Sequence, residues 1–208
     1  MLYEYLTVQK ADSAEFIEKK SRFISHVLPI TAENEAIEFI NSLKSRFRDA
    51  THNVYAYVLR NNNIQRYSDD GEPTGTAGIP TLDVIQKEGL VDVCVVTTRY
   101  FGGTLLGAGG LVRAYTKSAK LGIDSAGILT RRFCFEYTVK SDYTFMGKIQ
   151  NAAADLGAIA GKVQYADDVS LTFSVPHMIG GFEEKITDVT NGRAVINKQT
   201  EGRFIDVK

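Results

Sequence analysis

Residues 97–120 combine glycine with positive charge, the combination that proteins use to bind phosphate groups. The segment reads TTRYFGGTLLGAGGLVRAYTKSAK and overlaps the end of a predicted buried strand, Val91–Thr98. Glycine backbone at the start of a helix leaves amide groups free, and the helix macrodipole favours an anion there. The candidate phosphate- and nucleic-acid-binding residues are Arg99, Tyr100, Gly102, Gly103, Gly107, Gly109, Gly110, Arg113, Lys117 and Lys120.

The known glycine-rich nucleotide motifs do not fit this segment. A P-loop requires lysine followed by serine or threonine after its last glycine, whereas Ala108 and Gly109 follow Gly107. A dinucleotide fingerprint that starts at Gly107 requires glycine or alanine at a position that is occupied by Val112. We therefore expect no bound cofactor. The segment is either a general phosphate or polyanion surface, or a tight turn followed by a solvated helix face.

A second candidate site lies in the loop DDGEP (69–73), which we call the acidic loop. It places Asp69, Asp70 and Glu72 within four positions. Clustered carboxylates can hold a divalent cation, and together with His52 they could act as general acids or bases. Such clusters more often satisfy turn amides or pair with arginines. The spacing is not that of an EF-hand, so the sequence leaves metal binding open and assigns no catalytic residue.

The overall composition conceals a local excess of positive charge. The 208 residues carry 24 lysines and arginines and 25 acids, a formal net charge of −1, which excludes a protein that is basic throughout. Residues 99–132 alone contain six bases and one acid, a local net charge of +5. This segment is therefore a candidate polyanion site, unless its charges are balanced by acids elsewhere in the fold.

Neither a secretory signal nor a membrane span is expected. The sequence MLYEYLTVQK lacks a cationic region followed by an apolar one. The apolar run Val54–Leu59 is far shorter than the roughly 20 residues that cross a bilayer. Cys94 and Cys134 lie in apolar, strand-like runs, so free buried thiols are expected rather than a disulfide. These features predict a cytoplasmic protein without a membrane partner, and we expect a monomer.

The hydrophobic pattern predicts an α+β fold in two domains, residues 1–132 and residues 133–208. In the first domain, Thr31 is expected to cap a helix, and the segment between two predicted strands at 3–9 and 22–28 has no clear pattern. The other predicted elements of this domain are strands at 54–59 and 91–98, an ordered loop at 69–78, and helices at about 80–88 and 109–124.

The second domain has the more regular pattern. Residues 133–140 and 169–175 alternate apolar and polar side chains, as half-buried strands do. Apolar stripes at helical spacing run over 145–156 and 179–189. The resulting order of elements is β-α-β-β-α-β, which predicts a ferredoxin-like domain with one sheet face covered by helices and one face open.

Four sequence blocks of the first domain resemble the signature blocks of the IMPACT/YigZ family. They cover most of residues 1–132. The blocks are KKSRFISHV (19–27), ATHNVYAYV (50–58), SDDGEPTGTAGIP (68–80) and VVTTRYFGGTLLGAGGLVRAY (95–115). The resemblance implies that the acidic loop, Arg99, the loop glycines, Arg113 and Tyr115 form one cluster, without giving their chemical roles.

The resemblance also implies a fold for each domain and a field of action. The first domain is expected to be like the second domain of small-subunit ribosomal protein five, and the second like domain V of elongation factor G. The eukaryotic relative is a translational regulator, which competes for the activator protein of a translation kinase. Two domains in the order found in a ribosome-bound factor suggest contact with RNA or the ribosome.

Three functions from different classes are compatible with these observations. We favour a cytoplasmic factor that binds RNA or the ribosome through the basic, glycine-rich segment and acts in the regulation of translation. The alternative is a small-molecule enzyme that binds a nucleotide or phosphate. Its ligand would lie between the segment Gly102–Gly110, which we call the glycine loop, and the cluster of Asp69, Asp70 and Glu72. The third is a protein–protein regulator whose partner acts in translation control.

Overall fold

The computed structural model describes residues 3–207, which divide into two compact units. The N-terminal unit comprises residues 5–130, and the C-terminal unit comprises residues 3–4 and 131–207. Both units contain helices and strands, which confirms the predicted α+β fold class. The boundary expected from the sequence, after Arg132, lies close to this division.

The N-terminal unit is built on a five-stranded antiparallel sheet and three helices. β1 (Glu4–Val8) lies outside this sheet, whose five strands are β2 (Asp12–Glu18), β3 (Ser21–Pro29), β4 (His52–Leu59), β5 (Ile64–Ser68) and β6 (Val93–Tyr100). The helices of the unit are α1 (Glu33–Arg46), α2 (Gly78–Lys87) and α3 (Ala108–Ala126). The sheet has the strand order β2-β3-β6-β4-β5. The segment without a clear pattern before Arg22 therefore forms an edge strand, β2.

The start of α1 differs from the prediction that Thr31 caps it. The helix begins at Glu33, and the N-cap position is Ala32, whose side chain offers no hydrogen-bond acceptor. The carboxylate of Glu35 instead accepts the backbone N–H of Thr31 at 2.5 Å and that of Ala32 at 3.4 Å. A carboxylate in the first turn thus satisfies amide groups that have no partner within the helix.

The central strand β6 is buried on both faces of the sheet. Val93 and Val95 point into a core formed with α2 and α3, while Cys94 and Val96 point into a core formed with α1. Because successive side chains of a strand alternate between faces, β6 reads as a continuous apolar run. Both cores are built on β6, which pairs with β3 on one side and with β4 on the other.

The C-terminal unit contains the predicted β-α-β-β-α-β order of elements, followed by one further strand, β11. It contains β7 (Ile128–Ser141, of which residues 131–141 belong to this unit), α4 (Met146–Asp155), β8 (Ile159–Tyr165), β9 (Val169–Pro176), α5 (Phe182–Val189), β10 (Val195–Lys198) and β11 (Arg203–Val207). β7 pairs with β9 and with β10, and β8 pairs with β9, all antiparallel. The likeness of the two units to ribosomal-protein and elongation-factor domains stays a prediction.

Gly122 allows α3 to lie close against the sheet. A Cβ atom at this position would stand 2.2 Å from Ser25 Oγ and 2.9 Å from Val27 Cγ2, both on β3. By contrast, a Cβ atom at Gly147, in the first turn of α4, would meet no atom within 4 Å. Close packing therefore requires glycine at position 122, whereas the space around Gly147 would accept a larger side chain.

We expect the Gly122→Ala substitution to lower the free energy of unfolding by about 1–3 kcal/mol, because the added methyl group overpacks the contact with β3. The matched substitution Gly147→Ala should raise it by about 0.5–1 kcal/mol through helix propensity alone. Urea unfolding of both variants measures the two changes. Stabilisation by Gly122→Ala would show that α3 can move away from β3 at no cost.

His26, on β3, is a buried histidine without a charge partner. Its Nδ1 lies 2.9 Å from Ser13 Oγ, its ring stacks on Phe47, and its Nε2 has no hydrogen-bond partner among the described residues. Burial, with the nearby positive charge of Arg46, lowers the pKa of His26 from 6.5 to about 4. The native state therefore holds this ring in its neutral form.

The depressed pKa predicts that the fold loses stability in acid. Below about pH 6.5 the unfolded chain binds a proton at His26 that the native state binds only near pH 4, so unfolding becomes more favourable as the pH falls between these values. We expect the stability difference between wild type and the non-titrating variant His26→Gln to shrink over this window. Urea unfolding at several pH values measures it, and a constant difference would contradict the assignment.

Candidate functional site

The centre of the N-terminal unit is a buried ion pair between Arg99 and Glu72. Arg99 Nη1 lies 2.6 Å from Glu72 Oε1, and the two residues are only 5% and 7% exposed. The hydroxyl of Tyr115 donates to the same carboxylate oxygen at 2.7 Å. Burial and the carboxylate of Glu72 raise the pKa of Tyr115, so its proton stays in this hydrogen bond. We call these three residues the Arg99 centre.

Each residue of the Arg99 centre comes from a different part of the chain. Arg99 lies near the end of β6, Glu72 lies in the loop between β5 and α2, and Tyr115 lies in α3. The sheet register places Phe23 and His52 on either side of Arg99. The guanidinium also lies 5.4 Å from the Phe23 ring centroid, so an aromatic face covers the charge.

The glycine loop is held against the Arg99 centre by a second hydroxyl. Ser21 Oγ accepts from Arg99 Nη2 at 3.3 Å and from the Gly102 backbone N–H at 3.1 Å. A Cβ atom at Gly102 would stand 2.0 Å from the carbonyl carbon of Lys20. Gly102 is therefore a glycine because the loop backbone passes directly over the turn between β2 and β3.

The three carboxylates of the acidic loop have separate partners. Asp69 accepts the backbone N–H groups of Gly75, Ala77 and Gly78 at 2.8–3.1 Å, which holds the loop in front of α2. Asp70 pairs with Lys44 at 2.6 Å and accepts the Asn53 N–H at 2.6 Å. Glu72 belongs to the Arg99 centre.

This division of partners bears on the metal hypothesis. Within residues 3–207, no group of three or more histidine, cysteine, aspartate and glutamate side chains converges in a way that could hold a metal ion. The acidic loop instead has the structural role that turn amides and ion pairs give to clustered carboxylates.

His52 stands beside Glu72 with one ring nitrogen free. Its Nδ1 donates to the backbone carbonyl of Asp70 at 2.8 Å, which fixes the ring orientation. Its Nε2 faces Glu72 Oε2 at 3.8 Å, too far for a direct hydrogen bond. In the neutral ring, Nε2 is therefore an acceptor that faces another acceptor.

An apolar pocket opens above His52 and Glu72. It has a volume of about 350 Å³, and its walls include Pro73, Phe101, Leu105, Leu106, Gly107, Ala108 and Leu111. Leu105 is 82% exposed, and Phe101 is also exposed, although both side chains are large and apolar. A concave apolar surface with a few polar groups at its floor is the usual form of a ligand site.

A second cavity, of about 260 Å³, lies between the turn after β2 and the first half of α3. Lys19, Arg113 and Lys117 line it together with a single acid, Glu18. None of these three cations forms an ion pair with another residue of the described chain, and Lys117 Nζ lies 4.5 Å from the Phe16 ring centroid. We call the surface formed by Lys19, Arg113 and Lys117 the basic groove.

The structure separates the cations that the sequence analysis grouped together. Arg99 is inside the unit, and Lys120 pairs with Glu88 at 2.9 Å and with Asp124 at 2.8 Å. The hydroxyl of Tyr100 donates to Asp49. Only Arg113 and Lys117 remain as unpaired cations on α3, so the groove is smaller than the segment suggested.

Of the five candidate glycines, two adopt backbone conformations that favour glycine. Gly103 has φ 79° and Gly107 has φ 74°, and the latter is the N-cap of α3. Of the other three, Gly102 passes over the β2–β3 turn, while Gly109 and Gly110 lie in the first turn of the helix, where Gly110 makes room for Leu106. The glycines therefore shape the loop and its junction with α3, next to both the apolar pocket and the basic groove.

Lys19 and the apolar residues of the pocket were not among the site residues predicted from the sequence. Lys19 has φ 46°, which places it in the turn between β2 and β3. The pair Lys19-Lys20 at the start of the block KKSRFISHV was a visible signal of a cationic turn. The exposed Leu105 and Phe101 gave a weaker signal, since apolar residues in a glycine loop are unusual.

Two family models match the chain. The Impact N-terminal domain matches residues 19–123, which include the Arg99 centre, the basic groove and the apolar pocket. The family described as Domain of unknown function (DUF1949) matches residues 139–193. IMPACT family member YvyE of Bacillus subtilis is 42% identical over 200 residues, which cover 95% of this chain and 92% of the relative. This chain belongs to the IMPACT family.

Other family members match the chain to different extents. IMPACT family member YigZ of Escherichia coli is 33% identical over 181 residues, 84% of this chain and 87% of that protein. Protein IMPACT of Xenopus laevis is 36% identical over 96 residues, 43% of this chain and 30% of that protein. The predicted family is thus confirmed.

A solved structure described as the crystal structure of a hypothetical protein shares the fold. It has a TM-score of 0.61 at 28% identity, over 94% of this chain and 97% of that one. Within residues 3–207, no helix has the length and apolar character that crossing a membrane requires.

We expect Tyr115→Phe to lower the free energy of unfolding by about 1.5–3 kcal/mol, because a buried carboxylate loses a hydrogen bond that water cannot replace. Tyr100→Phe is the matched control, since it removes an exposed tyrosine–aspartate hydrogen bond from the same unit and should cost less than about 1 kcal/mol. Urea unfolding compares the two. Equal losses would show that Tyr115 does not support the Arg99 centre.

Proposed function

We propose that this IMPACT family member is a cytoplasmic factor that binds RNA, alone or in the ribosome, and acts in the regulation of translation. The observation that carries this proposal is the basic groove. Its three cations have no ion-pair partners among the described residues, whereas Arg22 pairs with Glu15 and Lys120 pairs with Glu88 and Asp124. Cations that a fold leaves unpaired on one concave surface are available to phosphate groups.

The surroundings of the groove support a nucleic-acid ligand. Phe16 lies on the groove wall, and an aromatic face beside lysine and arginine suits a strand whose phosphates and bases alternate. Arg113 and Lys117 lie one helical turn apart on α3, so their side chains extend from the same face of the helix. The first turn of α3 adds backbone amides on the adjacent surface.

The family supports the field of action. The resemblance that the sequence analysis describes links this family to translation, through a eukaryotic relative that regulates it. The Impact N-terminal domain matches residues 19–123, within which the three cations of the groove lie. A protein partner in translation control is the competing explanation, and it predicts association that does not depend on RNA.

The test is RNA binding by the wild type and by a charge-reversal variant of the groove, Lys19→Glu with Arg113→Glu and Lys117→Glu. Fluorescence anisotropy with a labelled RNA of about 12 nucleotides gives the affinity at salt concentrations from about 50 to about 200 mM. We expect the variant to lose binding at the higher salt. The slope of log affinity against log salt should fall by about one for each lost phosphate contact.

The matched control reverses three exposed cations of the same unit that do not line the groove, Arg48→Glu, Arg66→Glu and Lys87→Glu. It changes the net charge equally and should retain most of the affinity. Co-sedimentation of the same proteins with ribosomes, before and after nuclease treatment, distinguishes RNA from protein contact. Absence of binding by the wild type at low salt, or an equal loss in both variants, would refute the proposed function.

A further inference from the structure

We propose that the apolar pocket holds one unpaired nucleobase of the bound RNA, and that its floor selects a base with an exocyclic amino group. The inference rests on the proposed function, because the phosphates in the basic groove anchor the strand from which the base turns inward. The pocket would then add sequence preference to binding that the groove makes independent of sequence.

The floor of the pocket presents two hydrogen-bond acceptors that lack a donor. Glu72 Oε1 already accepts from Arg99 and Tyr115, whereas Oε2 accepts no hydrogen bond from residues 3–207. His52 Nδ1 donates to the Asp70 carbonyl, so Nε2 of the neutral ring is the second acceptor, 3.8 Å from Oε2. A ligand group with more than one N–H satisfies both acceptors at once.

The charge of the floor favours a neutral donor over an ammonium group. The guanidinium of Arg99 stands 2.6 Å from Glu72 and balances its charge, so an added positive charge would find no net attraction there. A neutral amino group gains the hydrogen bonds without this repulsion. Adenine, cytosine and guanine carry such a group on their base-pairing edge, whereas uracil offers one N–H between two carbonyl oxygens.

The walls of the pocket suit a flat, largely apolar body. Phe101 offers an aromatic face, and Pro73, Leu105 and Leu111 complete an apolar enclosure of about 350 Å³. Unpaired bases stack on such side chains in proteins that read single-stranded RNA. A bound base would also cover Leu105 and Phe101, two large apolar side chains that are exposed.

The pocket and the groove are next to each other on the same unit. Leu106 lines both cavities, and the first turn of α3 separates them. A strand whose phosphates lie along Arg113 and Lys117 therefore passes the mouth of the pocket. Its base can reach His52 and Glu72 without a change in the fold.

The experiment compares oligocytidylate with oligouridylate of about 12 nucleotides by fluorescence anisotropy near neutral pH. The wild type should bind oligocytidylate at least about fivefold more tightly, since two hydrogen bonds to a base discriminate strongly. Ala108→Trp fills the pocket from its exposed rim and should reduce the affinity for oligocytidylate to the value for oligouridylate. Val112→Trp places the same ring on α3 outside the pocket and should leave the preference intact.

A second variant tests the chemistry of the floor without filling the pocket. His52→Phe keeps a ring but removes the acceptor nitrogen, and the preference for cytosine should fall while oligouridylate affinity stays constant. Equal binding of the two oligomers by the wild type, or a preference that persists in Ala108→Trp, would refute the base pocket and leave the proposed function standing. If neither oligomer binds at low salt, the proposed function and this inference both fail.

Discussion

A guanidinium that is removed from water must be neutralised where it lies, and Arg99 imposes this condition on the N-terminal unit. The carboxylate of Glu72 in the acidic loop neutralises it, and Ser21 at the start of β3 accepts a further hydrogen bond from it. Tyr115 of α3 donates to the same carboxylate oxygen of Glu72. Four segments that are distant in sequence are thereby fixed around one charge. The Arg99 Nε has no hydrogen-bond partner among residues 3–207. The hydrogen bonds to Glu72 and Ser21 are therefore the ones that hold the guanidinium in place.

This requirement explains the composition of the surrounding loops. Asp69 ties the acidic loop to the start of α2, which holds Glu72 in reach of Arg99. Gly102 allows the glycine loop to pass over the β2–β3 turn, and that passage brings Lys19 opposite α3. The ordered frame leaves two surfaces without internal partners, the basic groove and the floor of the apolar pocket. Function is expected where a fold leaves polar groups unsatisfied, because satisfied groups have no further affinity to offer.

Periodicity in the sequence predicted most of the elements, since β4, β6, α3 and the alternating strands of the C-terminal unit carry strong and regular apolar patterns. It failed at β2, an edge strand in which no side chain is fully buried and apolar residues do not alternate regularly with polar ones. It also failed at the cap of α1, where Glu35 acts in place of Thr31. The residues of the candidate site were predicted from the sequence, but which of them lie together in the fold was not. Arg99 and Arg113 are neighbours in one basic segment, yet one is buried at a strand end and the other is exposed on a helix.

The sequence by itself determined the fold class, the family and the residue types available for chemistry, because these depend on local pattern and on motifs that can be read in order. Only the tertiary structure decided which charges neutralise each other. Glu72 meets Arg99, Asp70 meets Lys44, and Lys120 meets Glu88, and none of these pairs follows from spacing. The physical reason is that burial and distance set the strength of an ion pair, and both are properties of the folded chain. The cations that remain unpaired are therefore known only after folding.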